Sequence, residues 1–232
     1  MTHKPKVAVD IWSDVMCPWC AVGYTQFAKA MKQLEGEVDV EVRWMPFELN
    51  PDLPPEGKPQ DEHLAEVYGR SPEEVAAMRA QMQATAERAG FSMEYTGANG
   101  PGGEPPPAMM WNTFAAHKLL RWALADSGAE AQTRLKVALL KAHFQQRRSV
   151  ADREVLLDIA EGEGFDRAAA ADALADEALA IAVRVEEQRG REAGINSVPS
   201  FVVEGKYLIQ GAREPDDYAH MLRQVAGLVR NA

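Results

Sequence analysis

Met16-Cys17-Pro18-Trp19-Cys20 holds both cysteines of the 232-residue chain, and its spacing decides how the rest is read. On a helix, residues three apart share a face with Cα atoms about 5 Å apart, a separation that a disulfide spans without backbone movement. Pro18 suits the first helical position, where its missing N–H would have had no partner. Cys17 then falls at the N-cap, facing unpaired amides and the positive end of the helix dipole, which favour thiolate over thiol. Cys20 sits one turn inside, in a more buried place. The expected roles follow: Cys17 attacks an outside thiol or disulfide, and Cys20 resolves the mixed disulfide. Two other readings compete with redox chemistry here. Half of a zinc site needs further ligands at short spacing, and His3, His63, His117, His143 and His220 are scattered. Two inert core cysteines are the other, although Pro18 marks a helix start rather than a helix middle.

Outward from this stretch, Val7, Val9 and Ile11 alternate with Ala8, Asp10 and Trp12, which predicts a strand delivering the chain to Cys17. Val22, Phe27, Ala30, Met31 and Leu34 then fall near helical spacing, with Gly36 as the stop. Val38, Val40, Val42 and Trp44 alternate again in a second strand. A parallel pair joined by a crossover helix places ligand chemistry at the carboxyl end of the first strand, where Cys17 lies. Pro51, Pro54, Pro55 and Gly57 mark a linker leaving the sheet.

From about residue 58 to 194 the pattern is helical with no strand signal. Ser71-Pro72-Glu73-Glu74 reads as an N-cap, a Pro at N1 and a capping-box Glu. Gly90 ends that helix, and 96–107, rich in Gly and Pro, reads as an ordered surface loop. One helix is expected over about 109–125 and another around Leu135, Ala138, Leu139 and Ala142. Asp152 and Asp166 are expected to cap two short helices, before a further one through Leu179, Ala182, Val183 and Val185. Phe201-Val202-Val203 and Tyr207-Leu208-Ile209 around Glu204-Gly205 predict a hairpin. Pro215 and Asp216 open a last helix with Tyr218, Met221, Leu222, Val225 and Val229 on one face. The expected organisation is one sheet domain, 1–57 and 195–232, carrying a helical insertion, 58–194.

Composition narrows the function. With 46% hydrophobic and 26% charged residues the chain can bury a core without disulfide staples, so two cysteines have no structural work to do. The 25 Lys and Arg against 35 Asp and Glu give a formal charge of -10, which repels phosphate backbones and anionic membranes. Nucleic acid and membrane are therefore not expected as partners. The first residues run into a strand without the apolar core of a signal peptide, so a cytoplasmic location is expected.

The order of strand, helix opening with Cys-x-x-Cys, strand, helical insert, Val198-Pro199, hairpin and last helix resembles the DsbA-like branch of the thioredoxin superfamily over nearly the whole chain. Several stretches look like the FrnE-type members, which are disulfide oxidoreductases or isomerases. They are Trp12-Ser13-Asp14-x-x-Cys17-Pro18-Trp19-Cys20, Pro46-Phe47-Glu48-Leu49-Asn50-Pro51, Asn112-Thr113 with His117, and Gly194-Ile195-Asn196-Ser197-Val198-Pro199-Ser200-Phe201. The resemblance implies an α/β thioredoxin-like fold with a mixed central sheet and a large helical insertion. It also implies a cis Pro199 facing the cysteine pair, with the backbone of Val198 as a short edge for an extended substrate segment. Without the resemblance Pro199 reads as an ordinary trans proline opening a strand.

The resulting expectation is a thiol-disulfide oxidoreductase with catalytic Cys17 and Cys20 and with Pro18, Trp19, Val198 and Pro199 against the substrate. Its partners are protein thiols and disulfides, with glutathione as a candidate co-substrate; it needs no metal or organic cofactor, and its oligomeric state is left open. Asn112, Thr113 and His117 are weighed as groove residues from the insert, and Asp10 and Asp14 as groups that tune the thiols. Some DsbA relatives carry a histidine between the cysteines; Pro18-Trp19 offers no cation there, which implies a less extreme oxidant. The runner-up is a glutathione-dependent isomerase or transferase on a small aromatic or polyketide-like substrate, with the loop at 96–107 and the insert as its pocket. Related enzymes of that kind carry serine at the attacking position, whereas Cys17 is present here. A third reading is a binding or holdase module that carries the cysteines passively.

Overall fold

Val7, Val9 and Ile11 are fully buried along β1 (Lys6–Ser13), as their alternation predicts. These positions come from a computed structural model, which describes residues 4–100 and 102–230; His3 and Pro101 of the loop lie outside them. α1 (Pro18–Gln33) follows directly after the cysteine turn, and β2 (Asp39–Pro46) returns parallel to β1 with Ile11 opposite Trp44.

The insertion begins with β3 (Lys58–Pro59), α2 (Gln60–Tyr68) and α3 (Pro72–Ala89). Ser71 and Glu74 form the capping box in both directions, and Gly90 closes α3 in the left-handed region at φ 92°. Next come β4 (Met109–Met110), α4 (Phe114–Phe144), α5 (Arg153–Gly162), α6 (Arg167–Ala175) and α7 (Glu177–Glu192). The Asp152 and Asp166 side chains accept from the amides of Val155 and Ala169, as expected of caps. β5 (Ser200–Val203), β6 (Tyr207–Gln210) and α8 (Pro215–Arg230) complete the chain.

Three expectations about the insertion are corrected. The insertion does contain strand: β3 pairs antiparallel with β4, each only two residues long, too short for alternation to register. For the same reason the helix expected over 109–125 starts at Phe114, because Met109 and Met110 are paired with Pro59 and Lys58. The two helices expected between 109 and 142 run together as α4, broken at Gly128, whose φ of 83° no β-carbon residue adopts without strain.

The main sheet has the order β2-β1-β5-β6, with β1 parallel to β2 and antiparallel to β5. It is therefore mixed, and β1 lies at its interior with the cysteines at its carboxyl end. Val7, Val9, Ile11, Phe27, Phe201, Tyr218 and Leu222 form one core between the sheet, α1 and α8. Phe27 and Tyr218 meet edge to face at 5.2 Å. Val229, expected on the same face, is instead partly exposed near the end of α8. A second core joins Leu119, Leu135, Leu139 and Leu156 of the insertion to Val15 and Met16. The insertion thus packs on the two residues that immediately precede Cys17. On α7, a β-carbon at Gly190 would lie 2.4 Å from the Trp12 ring, so glycine there lets the helix press against the end of β1.

Candidate active site

Cys17 is the N-cap of α1, in extended conformation, and Pro18 takes the first helical turn without losing a hydrogen bond. The carbonyl of Cys17 accepts from the amides of Cys20 and Ala21 at 3.1 and 3.3 Å, which fixes the turn. Both cysteines are free and buried; Cys17 keeps 4% of its surface and Cys20 none. Trp19 stands beside them half-exposed, at 48%.

The chain comes back to this point from its other end. The Val198–Pro199 bond is cis, as the resemblance implies, and the Cys17 thiol lies 3.7 Å from the Val198 carbonyl oxygen as a weak donor. Gly23 makes room for the contact: a β-carbon there would sit 2.8 Å from Cγ of Pro199. Ser200 closes the turn by donating its hydroxyl to the Ser197 carbonyl at 2.8 Å.

Beneath the sulfurs lies a buried polar cluster. Asp14 is fully buried; its Oδ1 accepts from the Met16 amide at 3.3 Å and its Oδ2 from the Leu49 amide at 2.8 Å. His117 Nε2 stands 3.7 Å from Asp14 Oδ1. Lys136 and His143 are also buried, and neither Lys136 Nζ nor His143 Nδ1 has a hydrogen-bond partner among the described residues. Burial works against the Asp14 charge, yet His117, the Leu49 amide and Lys136 outweigh it and hold the carboxyl below its usual range.

The two thiols share one easily lost proton. Hydrogen bonding to Cys20, burial and repulsion from the Cys20 charge push the Cys17 thiol well up. Burial resists ionisation of Cys20 as well, but the Cys17 hydrogen bond, the Lys136 charge and the Ser13 hydroxyl bring its thiol down. The reduced pair therefore holds one thiolate and one thiol that exchange a proton across their hydrogen bond. Accessibility marks Cys17 as the attacking sulfur: of the two it alone has exposed surface, and a proton shift along the Cys17–Cys20 hydrogen bond places the charge on it.

Burial pushes His143 down to about 4, and the Asp14 charge opposes this only in part. In the unfolded chain the same ring protonates near 6.5. The folded state keeps it neutral, so the stability present above pH 6.5 is lost as pH falls towards 4, by roughly 3 kcal/mol over the whole window. The urea midpoint is expected to fall steeply between pH 7 and 4.5, and to fall less in His143→Gln. An equal fall in both proteins would contradict this.

The other expected site residues are distributed differently. Thr113 and His117 are buried, and Thr113 is the N-cap of α4, so neither lines a groove. Asn112 bridges the Pro51 carbonyl and the Phe114 amide, a local link at the helix start. Asp10 pairs with Arg43 across β1 and β2 at 2.7 Å, away from the thiols, so only Asp14 remains as a tuning group. The loop at 96–107 leans on the end of α4, with Thr96 N–H on the Gln145 carbonyl at 2.7 Å and Arg147 on the Pro106 carbonyl. A groove of about 500 Å³ lies elsewhere, lined by Phe114, Ile181, Arg184 and Val185. Among the described residues no three His, Cys, Asp or Glu side chains converge as a metal-ligand set.

The family model described as DSBA-like thioredoxin domain matches residues 8–223. The chain belongs to the DsbA-like thioredoxin family. A Bacillus subtilis (strain 168) protein called YwbO is 30% identical over 212 residues, covering 90% of this chain and 92% of that protein. Among solved structures, a probable DsbA oxidoreductase, SCO1869 of Streptomyces coelicolor, superposes with a TM-score of 0.81 at 31% identity, covering 95% of this chain and 90% of that one. The cytosolic disulfide reductase DsbM of Pseudomonas aeruginosa shares the fold at a TM-score of 0.62 and 19% identity, covering 95% of this chain and 99% of that one. In this DsbA-like chain the buried polar partners come from the insertion. Gln132, Lys136 and His143 were the residues that the apolar stripe of α4 concealed; their own spacing of four and seven, polar positions on one helical face, was the available signal.

Proposed function

We propose that the protein is a thiol-disulfide oxidoreductase of the reductase or isomerase type, acting on protein cysteines through Cys17 and Cys20. The observation that carries this is the pairing of the Cys17 sulfur with the Val198 carbonyl at 3.7 Å, which sets the more exposed thiol against a backbone edge. An extended segment laid on that edge brings its own sulfur to Cys17 by main-chain contacts, without regard to sequence. Pro18, Trp19, Val198 and Pro199 border the approach, and half-exposed Trp19 supplies apolar contact beside the sulfur.

In the reducing direction Cys17 thiolate attacks one sulfur of the substrate disulfide. A Cys17–substrate bond forms, the substrate S–S bond breaks, and the other substrate sulfur leaves as thiolate. Cys20 then attacks Cys17, releasing the second substrate thiol and closing the Cys17–Cys20 disulfide. The proton that Cys20 gives up at that step ends on the departing substrate sulfurs, while Asp14 beneath the pair is held ionised. A cytoplasmic setting fits this direction, with glutathione returning the pair to dithiol.

Turbidimetric reduction of insulin by the purified protein, with glutathione as the terminal reductant, tests the reading. Acceleration that depends on both cysteines is expected. No acceleration with any protein disulfide, alongside turnover of a small molecule with glutathione, would overturn it.

A further inference from the structure

Lys136 is fully buried, and its ammonium has no hydrogen-bond partner among the described residues. A charge in that position is ordinarily paired or absent, because burial without compensation is costly. Nζ lies 5.2 Å from the centroid of the Trp44 ring, and a ring face compensates weakly for lost water. The placement is nonetheless built. One turn earlier, Gln132 accepts from the Trp44 amide at 2.8 Å and donates to the Trp44 carbonyl at 2.9 Å and the Leu120 carbonyl at 3.1 Å. Leu135 and Leu139 pack this half of α4 against Val15 and Met16, just before Cys17.

The charges that act on the ammonium are those of Cys20, Asp14 and Cys17. His117, from the first half of α4, and His143, two turns along from Lys136, complete the titratable groups around Asp14. Two negative centres, a thiolate and Asp14, thus share a cation that neither of them hydrogen-bonds. Only one of these centres changes with redox state.

We propose that Lys136, supplied by the helical insertion, is the counter-ion of the reduced cysteine pair and gives up its proton when the pair is oxidised. The inference rests on disulfide exchange at Cys17 and Cys20. Starting from a reduced pair of one thiol and one thiolate, Lys136 ammonium and an external disulfide, the products are the Cys17–Cys20 disulfide, Lys136 amine and two external thiols. One S–S bond forms as another breaks, two electrons pass to the external pair, and its two protons come from the one remaining thiol of the cysteine pair and the Lys136 ammonium. Burial brings Lys136 down to about 8 while the sulfur charge is there to support it; in the disulfide Asp14 alone is left to hold the proton. Lys136 touches no substrate and is a positioning residue.

Lys136→Met keeps length and removes charge. Thiolate absorbance at 240 nm, followed against pH in the reduced variant, is expected to rise about one pH unit or more above wild type, leaving about tenfold less thiolate at neutral pH. Lys136→Arg should recover part of the shift. An unchanged titration in a folded Lys136→Met protein would overturn the inference. If that variant does not fold, the lysine 13Cε resonances of the wild-type protein give the answer. Lys136 should titrate at lower pH in the oxidised than in the reduced protein, and identical titrations would sink the proposal. Insulin reduction by the same wild-type samples separates the two readings: activity with an unlinked Lys136 overturns only this inference, and a linked Lys136 without activity overturns only the proposed function.

Discussion

Cys17→Ser is expected to bring disulfide exchange down to the uncatalysed background, whereas Cys20→Ser should still attack and then stall as a mixed disulfide. The asymmetry comes from position. Cys17 keeps a little surface beside the Val198 carbonyl, and Cys20 lies wholly inside, one helical turn further on. Without Cys17 no sulfur reaches the substrate; without Cys20 the first bond forms and only its resolution is lost. Non-reducing electrophoresis after incubation with a disulfide-bonded protein, followed by peptide mass mapping, distinguishes the two. Equal inertness of both variants, or trapping on Cys20 in Cys17→Ser, would show that the roles are wrong.

The second large effect lies away from the sulfurs. Glu48 and Glu187 are buried carboxylates that share the Arg184 guanidinium, and the Glu48 amide also donates to Glu187 at 3.2 Å. Burial and the neighbouring Glu187 push the Glu48 carboxyl above its usual range, against the pull of Arg184. Arg184→Ala leaves both acids without their main cation, since Arg191 is 3.9 Å from Glu187. Removing one partner of a buried ion pair costs about 3–5 kcal/mol, and with nearly half of the Arg184 side chain in solvent the lower end, about 3 kcal/mol, is expected. A raised carboxyl is protonated in the fold at a pH where the unfolded chain is already ionised. Its cost therefore grows as pH rises through the folded value, and the variant should lose less at pH 5 than at pH 8. Glu187→Gln on the Arg184→Ala background should restore part of the loss. A pH-independent loss below about 1 kcal/mol would contradict this account. The cluster also bears on the site, because the next amide, Leu49, holds Asp14 beneath the cysteines.

Much of this was legible because it is written in local chemistry. Alternation at Val7, Val9 and Ile11, the caps at Ser71, Asp152 and Asp166, and the Pro between two cysteines each act over a few residues. The path of the chain past Cys17, with Val198 returning from 181 residues away, came through resemblance rather than through spacing. What stayed hidden is what only tertiary packing creates. The two-residue strands β3 and β4 exist because each finds the other. Asp10 and Asp14 look alike on a strand end, yet one faces Arg43 at the surface and the other is sealed under the dithiol. His117 was weighed as a groove residue and lies instead against Asp14. The field of Lys136 on the dithiol comes from 116 positions beyond Cys20 in sequence, so no reading of Cys-Pro-Trp-Cys alone reaches it.

The central claim is that Cys17 and Cys20 form a reversible two-electron couple, poised to be dithiol in a reducing compartment. Equilibration of the purified protein in glutathione buffers of graded potential, with acid quench, alkylation and mass analysis, measures it most directly. With no cation at Pro18-Trp19, a midpoint nearer the about -180 mV of protein disulfide isomerase than the about -120 mV of DsbA is expected. Against a cytosolic poise of about -250 mV, that leaves the dithiol favoured by over about a hundredfold. A single transition that gains and loses an intramolecular Cys17–Cys20 disulfide is the predicted result; two thiols that stay free, or that pair only with glutathione, at every potential would contradict it.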